Sequence, residues 1–310
     1  MEPITPAIIT PYAEATMNLQ SYLSEKRRLI DAAMNEYLPP EDRFPEVIHR
    51  AMRYGVLNGG KRLRPILTLA ACEAVGGEGA TALPTACAVE LVHAFSLIHD
   101  DLPALDDDDF RRGKPTSHKV FGEAVAILAG DALLALAFET ITGRNKGASV
   151  EVMVEVMRRI ASASGAGGMV GGQVADMASE GKKVGPETLE FIHRNKTGAL
   201  IEASVVSGGL LGGGTPEQIK ALSLYGQNIG LAFQIADDIL DIEGIREKIG
   251  KTAGSDIGRQ KATYPTLYGL EKSKELARQA VDEAVEVIQS FDDRANPLRA
   301  LARFIIEREA

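Results

Sequence analysis

The sequence predicts an all-α protein, and three observations carry that expectation. Apolar residues recur at spacings of three and four over long stretches. Helix start and stop signals bracket those stretches. No run of alternating β-branched and polar residues stands between turn signals, so convincing strands are absent from the reading.

The elements follow in chain order. Gly76-Gly77 reads as the stop of an early helix. The stretch 124–138 is apolar nearly all round, as a helix in the middle of a large body is. Gly165, Gly167, Gly168, Gly171 and Gly172 form the main irregularity, read either as a kink or turn between helices or as a substrate contact. The stretch 198–211 is again apolar on every side and stops at Gly212-Gly213-Gly214. Thr215-Pro216-Glu217-Gln218 supplies an N-cap, a proline at the first helical position and a capping-box glutamine. In 271–291, Leu276, Ala280, Ala284, Ile288 and Phe291 mark one apolar face, with charges on the other. Asn296-Pro297 opens the last helix. No linker or composition shift divides the chain, so we expect one domain over 1–310 of about a dozen helices, with residues 1–15 flexible.

Composition bounds the function. The 310 residues are 45% hydrophobic and 25% charged, which leaves ample material for a core. A net charge of -9 argues against a general nucleic-acid binder, though it leaves room for a local basic pocket. Cys72 and Cys87 lie in Ala-rich apolar stretches and read as reduced core thiols. Residues 1–15 lack the basic and apolar regions of a secretory signal, and no run of about 18 uninterrupted apolar residues occurs. We therefore expect a cytoplasmic protein without a membrane span.

The chemistry concentrates in two acidic clusters. Asp100, Asp101, Asp106, Asp107, Asp108 and Asp109 follow the apolar stretch 94–98; Asp237, Asp238 and Asp241 follow the apolar stretch 231–236. Unpaired carboxylates at the end of a buried helix repel one another and cost desolvation, and a divalent cation relieves both. Asp237 and Asp241 are four apart and share a helix face, with Gln234 one turn earlier. Asp100 and Asp106 are six apart, and Pro103 between them breaks regular hydrogen bonding, so a bulge is expected to bring them together. Oxygen ligands alone favour magnesium or a similar hard ion. Basic groups alternate with the acids: Lys61, Arg62 and Arg64 after Gly59-Gly60; Arg111, Arg112 and Lys114; Lys196-Thr197; Lys251; Lys261. That alternation suits a diphosphate held between metal ions and cations, and stabilised there as a leaving group.

These motifs resemble those of the short-chain trans-polyprenyl diphosphate synthases. The stretch 97–116, His99-Asp100-Asp101 through Arg111-Arg112-Gly113-Lys114-Pro115-Thr116, resembles the first aspartate-rich motif of that family. Gly230 to Asp241 resembles the second, and 59–65 and 250–256 also match, in family order. The four residues between the paired aspartates of the first motif look like the bacterial and plastid branch. The resemblance implies a single helical bundle of the isoprenoid synthase type with a central cavity. It implies that isopentenyl diphosphate is joined to dimethylallyl or geranyl diphosphate, in a homodimer, with about three magnesium ions, or manganese in their place. It implies that Asp100 and Asp106 bind two ions with Asp101 in support, and that Asp237 binds the third with Asp241 near it. Arg111, Lys196, Thr197, Gln234, Lys251 and Lys261 would hold the allylic diphosphate; Lys61, Arg64, His93 and Arg112 would hold isopentenyl diphosphate. Asp100, Asp101, Asp106, Arg111, Lys196, Asp237 and Lys251 are thus the expected catalytic set. Phe95 and Ser96, five and four residues before the first motif, would set the floor of the product tunnel. The ring of Phe95 favours farnesyl diphosphate, with geranylgeranyl diphosphate as the alternative because the stretches 118–123 and 250–256 look like plastid enzymes.

Three other readings compete. Glu90-x-x-His93 and Glu190-x-x-His193, with Glu139 and Glu202, could be proposed as a di-iron set, but that leaves both Asp clusters unexplained. A terpene cyclase would carry a second metal motif of Asn or Asp, Ser or Thr, and Glu, which 237–241 does not show. A catalytically silent partner subunit fits poorly with two intact Asp motifs.

Overall fold

The computed structural model describes residues 17–145, 147–243 and 263–307. Residues 1–15, expected to be flexible, and Lys251 and Lys261 lie outside the described residues. Among the described residues the secondary structure is almost wholly helical. Four helices precede the first acidic cluster: α1 (Leu19–Tyr37), α2 (Glu46–Leu57), α3 (Leu63–Ala74) and α4 (Gly79–Asp100). After it come α5 (Ser117–Phe121), α6 (Glu123–Arg144), α7 (Val150–Ser164), α8 (Met169–Ser179) and α9 (Pro186–Ile192). A single π-helical turn, His193–Gly198, joins α9 to α10 (Ala199–Leu211). The 28-residue α11 (Pro216–Glu243) carries the second cluster, and α12 (Tyr264–Tyr268), α13 (Leu270–Val287) and α14 (Asn296–Glu307) complete the bundle.

The expected punctuation is present. Thr215 and Gln218 exchange the reciprocal bonds of a capping box at the start of α11, at 2.9 and 3.3 Å. Gly76 and Gly213 take the positive φ that ends α3 and α10. Asn296 is itself helical and follows a 3-10 turn at Asp293–Ala295, so the start of the last helix is softer than its Asn-Pro pair suggests.

The main core cluster has α3, α4, α10 and α11 at its centre, and a second, smaller cluster joins Leu189, Ile235, Ile239, Tyr264 and Ala277. α10 is buried on nearly every side, as its composition requires. Cys72 and Cys87 are free and buried in this core, and burial pushes the Cys72 thiol up to about 11. Two expectations need correction. α6 is not buried all round: Ala126, Ala129, Gly130, Leu133, Ala137 and Ile141 form one buried stripe, while Ile127 and Leu128 are exposed. α4 and α6 are each long and apolar enough to cross a membrane by length and composition, although no uninterrupted apolar run marks either; most of α4 lies in the core. And a short antiparallel ribbon exists: β1 (Phe110–Arg111) pairs with β2 (Lys114–Pro115), Arg111 opposite Lys114. Its turn places both Arg112 and Gly113 at positive φ, 53° and 75°, as a two-residue hairpin turn of type I′ requires.

Candidate active site

The first acidic cluster begins where α4 ends. Pro103 has no N–H to continue the helix, and the chain winds into turns over 101–106. The Asp106 N–H returns to the Asp100 carbonyl at 2.8 Å, so the six-residue step closes on itself. This is the bulge expected around Pro103. Asp100 Oδ1 accepts a bond from Gln173 Nε2 of α8 at 2.6 Å. Asp101 is buried and accepts Arg111 Nε at 2.6 Å, with the Arg111 guanidinium also 3.6 Å from Asp108. Burial raises the Asp101 carboxyl above the usual range, against the opposing pull of Arg111. Asp101 therefore orients Arg111, a contact distinct from the support of metal binding expected of it.

The second cluster lies on the last turns of α11. Gln234 accepts from the Thr197 hydroxyl at 2.8 Å and donates to Asp238 Oδ1 at 3.1 Å. Asp238 is buried; its other oxygen accepts the Tyr264 N–H at 3.0 Å and lies 3.5 Å from His193 Nε2. Asp238 thus ties α11 to α12 and is a structural carboxylate. Asp241 Oδ2 is buried and has no hydrogen-bond partner among the described residues. An orphaned carboxylate oxygen on the same face as Asp237 is what a hard cation would satisfy.

Two bridges connect the clusters. One runs through α8 and the π-helical turn. Gln173 holds Asp100, Asp176 one turn later accepts Lys196 Nζ at 2.7 Å, and Thr197 next to it holds Gln234. A π-turn inside a helix often marks a functional position, and here it sets Lys196 towards α8 and Thr197 towards α11. Glycines allow the approach: a Cβ on Gly172 would stand 2.2 Å from Lys196 N, and one on Gly230 would stand 2.6 Å from Gly198 Cα. The other bridge is electrostatic. Arg64 at the start of α3 is half-buried, with its cation weakened by desolvation and supported by Glu90 and Asp237. His93 of α4 is held well below the ordinary imidazole range by burial and then by Arg64, Arg112, Arg111 and Arg62. His93 thus lies in the field of Arg62, Arg64, Arg111 and Arg112, and Asp237 lends its charge to Arg64.

Among the described residues, no three carboxylate, imidazole or thiol groups stand close enough to hold a metal ion by themselves. The clusters are not a closed protein cage; a magnesium ion there would complete its shell with diphosphate oxygens and water. A cleft of about 370 Å³ between α7, the π-turn, α10 and α11 contains none of the acidic-cluster residues. Phe95 is buried with its ring edge-on to His99 at 4.9 Å, and the Ser96 hydroxyl bonds the His93 carbonyl at 2.9 Å. His99 Nε2 lies 2.9 Å from the Ile127 carbonyl of α6, over Gly130, where a Cβ would stand 2.3 Å from the ring. The residues proposed for a di-iron set are engaged elsewhere: Glu90 with Arg62, Glu190 with Arg194, Glu202 with Ser223, and Glu139 is exposed.

Gln173 and Asp176 were not anticipated. Their spacing of three, beside a glycine run, puts two polar groups on one helix face, and that is the signal available in the sequence. The glycines answer to helix packing and turns: Gly168 and Gly171 close against the carbonyls of Ala163 and Ala166, and Gly172 against Lys196.

Comparison with known proteins shows the family. The family described as Polyprenyl synthetase matches residues 45–301. A geranylgeranyl diphosphate synthase of Cyanophora paradoxa is 50% identical over 95% of this chain and 98% of its own. Geranylgeranyl pyrophosphate synthase 12, chloroplastic, of Arabidopsis thaliana is 52% identical over 93% of this chain and 81% of its own. The crystal structure of an FPP/GFPP synthase from Zymomonas mobilis superposes with a TM-score of 0.84 at 40% identity, covering 93% of this chain and 99% of that one. With motifs, helical architecture and relatives in agreement, the chain belongs to the polyprenyl synthetase family and is a trans-prenyltransferase of the all-α isoprenoid synthase fold.

Proposed function

We propose that this enzyme condenses isopentenyl diphosphate with allylic diphosphates and carries elongation to geranylgeranyl diphosphate. The observation that supports the twenty-carbon product is the naming of its relatives: most of those matching about half of the residues over nearly the whole chain are named for it, although one is named dimethylallyltranstransferase. The fifteen-carbon expectation rested on Phe95. Its ring is engaged edge-on with His99, and it stays the residue that we assign to the tunnel floor, with Ser96 beside it.

Arg111, Lys196, Thr197 and Gln234 hold the allylic diphosphate, with Lys251 and Lys261 outside the described residues. Lys61, Arg64, His93 and Arg112 hold isopentenyl diphosphate. Asp100, Asp106, Asp237 and Asp241 hold about three magnesium ions; the oxygen-only donor set and the orphaned Asp241 Oδ2 fit a hard cation, and manganese fits it too. Bound magnesium neutralises the diphosphate and stabilises it as a leaving group. The protein's own part is positional. Asp101 orients Arg111 on that diphosphate, and Thr197 fixes the amide of Gln234. The apolar walls of α4 and α10 exclude water while the allylic cation meets the double bond of isopentenyl diphosphate. The proton then leaves to the released diphosphate. The chain acts as one catalytic domain in the cytoplasm, as a homodimer; exposed Ile127 and Leu128 on α6 and Val150 and Val154 on neighbouring α7 support a second copy there.

The test is incubation of the purified protein with labelled isopentenyl diphosphate, each allylic starter and magnesium, with product lengths read after dephosphorylation. Geranylgeraniol as the terminal alcohol is expected. Farnesol as the terminal alcohol would overturn the product assignment, and no product, or activity unaffected by a chelator, would overturn the site.

A further inference from the structure

The buried cation between the two expected ligands Lys61 and Arg64 has no role in the mechanism above. Arg62 is 3% exposed, yet its guanidinium is shared among three helices. Nε donates to Asp31 Oδ1 of α1 at 2.8 Å, Nη1 to Glu90 Oε1 of α4 at 2.8 Å, and Nη2 to the Val56 carbonyl of α2 at 2.8 Å. Its backbone is left-handed, with φ 52°, at the residue that starts α3. A residue with a Cβ pays roughly 1–2 kcal/mol for that conformation, and it persists where surrounding contacts over-determine it. The three-way clasp is such a set of contacts.

The same loop is gripped from its other side. The Arg112 guanidinium donates to the Gly59 carbonyl, and a Cβ on Gly60 would fall 2.7 Å from Arg112 Nη1. Lys61 therefore sits on a loop gripped from two sides, and α3 leaves it carrying Arg64, whose cation is supported by the charges of Glu90 and Asp237. Glu90 lies one turn before His93 on α4, so the carboxylate that clasps Arg62 also registers the loop against His93. This gives the Glu90-x-x-His93 motif a role in which Glu90 is engaged by Arg62.

We propose that Arg62, through Glu90, is a positioning residue for the isopentenyl diphosphate subsite. It touches no substrate; it holds Lys61 and Arg64 at the geometry in which a diphosphate meets them with His93 and Arg112. The proposal rests on the assignment of that subsite to Lys61, Arg64, His93 and Arg112.

A merely structural ion pair and a positioning one separate in a double variant. Arg62→Met strands Glu90 in the core, and Glu90→Leu strands part of the guanidinium, so each single variant melts at lower temperature. The double variant Arg62→Met/Glu90→Leu leaves Asp31, which is half-exposed and 3.7 Å from Arg27, and it buries an apolar pair in place of the charges. Its melting temperature is expected to recover. The KM for isopentenyl diphosphate is expected to stay raised by about tenfold, with the allylic KM and kcat within about threefold, since small misplacements of binding groups are costly. Recovery of that KM along with melting temperature would overturn the proposal, as would an equal rise in both KM values. Should the double variant not fold, Arg62→Lys keeps the charge and loses the fork. A raised isopentenyl diphosphate KM at unchanged melting temperature then supports the proposal, and an unchanged KM overturns it. Lys61→Ala isolates the underlying reading. If it leaves the isopentenyl diphosphate KM unaltered, the subsite assignment has failed; if it raises that KM while the Arg62 variants do not, the positioning role alone has failed.

Discussion

Substituting one methyl group at Gly172 tests whether α8 holds the two acidic clusters in register. The Cβ of Gly172→Ala would lie 2.2 Å from Lys196 N and 2.6 Å from Lys196 Cα. Carbon atoms pack at about 3.5–4.0 Å, so α8 and the π-turn must separate by about 1 Å. Both neighbours are backbone atoms, and no rotamer change relieves the clash. Overpacking of this kind costs about 1–3 kcal/mol, which a bundle of this size survives. The catalytic cost is larger in proportion. Gln173, the next residue, holds Asp100, and Asp176 one turn on holds Lys196, so both contacts shift together. Misplacing reactive groups by about 1 Å costs about 10²-fold, equivalent to about 2.7 kcal/mol of transition-state stabilisation. Steady-state kinetics with labelled isopentenyl diphosphate should therefore show kcat/KM down by about that factor, with a cooperative melt only a few degrees lower. Gly167→Ala is the control, because no heavy atom stands within 4 Å of its added Cβ. A kcat/KM within about threefold of the parent in folded Gly172→Ala would refute the bridge, as would an equal loss in Gly167→Ala.

Four further outcomes are expected. Phe95→Ala should lengthen the product beyond that of the parent, read by chromatography of the dephosphorylated alcohols; unchanged length would remove Phe95 from the tunnel floor. His93→Gln should keep kcat/KM for isopentenyl diphosphate within about tenfold, because the imidazole is held neutral and gives one uncharged hydrogen bond. The same variant bears on acid stability: a folded imidazole below its ordinary range leaves stability intact above pH about 6.5 and loses it as pH falls, since the unfolded chain takes the proton, so His93→Gln should flatten the acid limb of melting against pH. Thr197→Val removes the hydroxyl that fixes Gln234 and should weaken use of the allylic substrate by about tenfold while sparing the isopentenyl diphosphate KM, measured with the second substrate saturating.

The parts of this site that were legible in the sequence are those whose physics is local. Apolar helices running into carboxylates announce an unpaid repulsion wherever the chain goes, and Asp100 to Asp106 and Asp237 to Asp241 were found that way. Pro103 foretold the break in α4, and Thr215 with Gln218 foretold the cap of α11, because each acts within a turn of itself. The β1–β2 hairpin was missed although its signal was present: Arg112-Gly113 before Lys114-Pro115 is a turn pair, but two-residue strands are too short for alternation to show. The half-open face of α6 was missed for a different reason. A helix apolar on every side reads alike whether its last face meets the core or is left exposed, as at Ile127 and Leu128.

What no window of the sequence could give is pairing across helices. Gln173 with Asp100, Asp176 with Lys196, and Arg62 with Glu90 are separated by 73, 20 and 28 positions. Each joins a residue of an expected motif to one outside the expected ligand set. The division is physical. The expected ligand groups come in like-charged runs that stay visible in the sequence even where the fold gives each a neighbour, as Gln173 does for Asp100. The groups that aim them are satisfied inside the protein, and a satisfied charge looks like any other polar residue until the helices are packed. Arg62 shows the consequence: read along the chain it is one more cation in a basic run, and in the bundle it is the one of that run clasped 3% exposed among three helices.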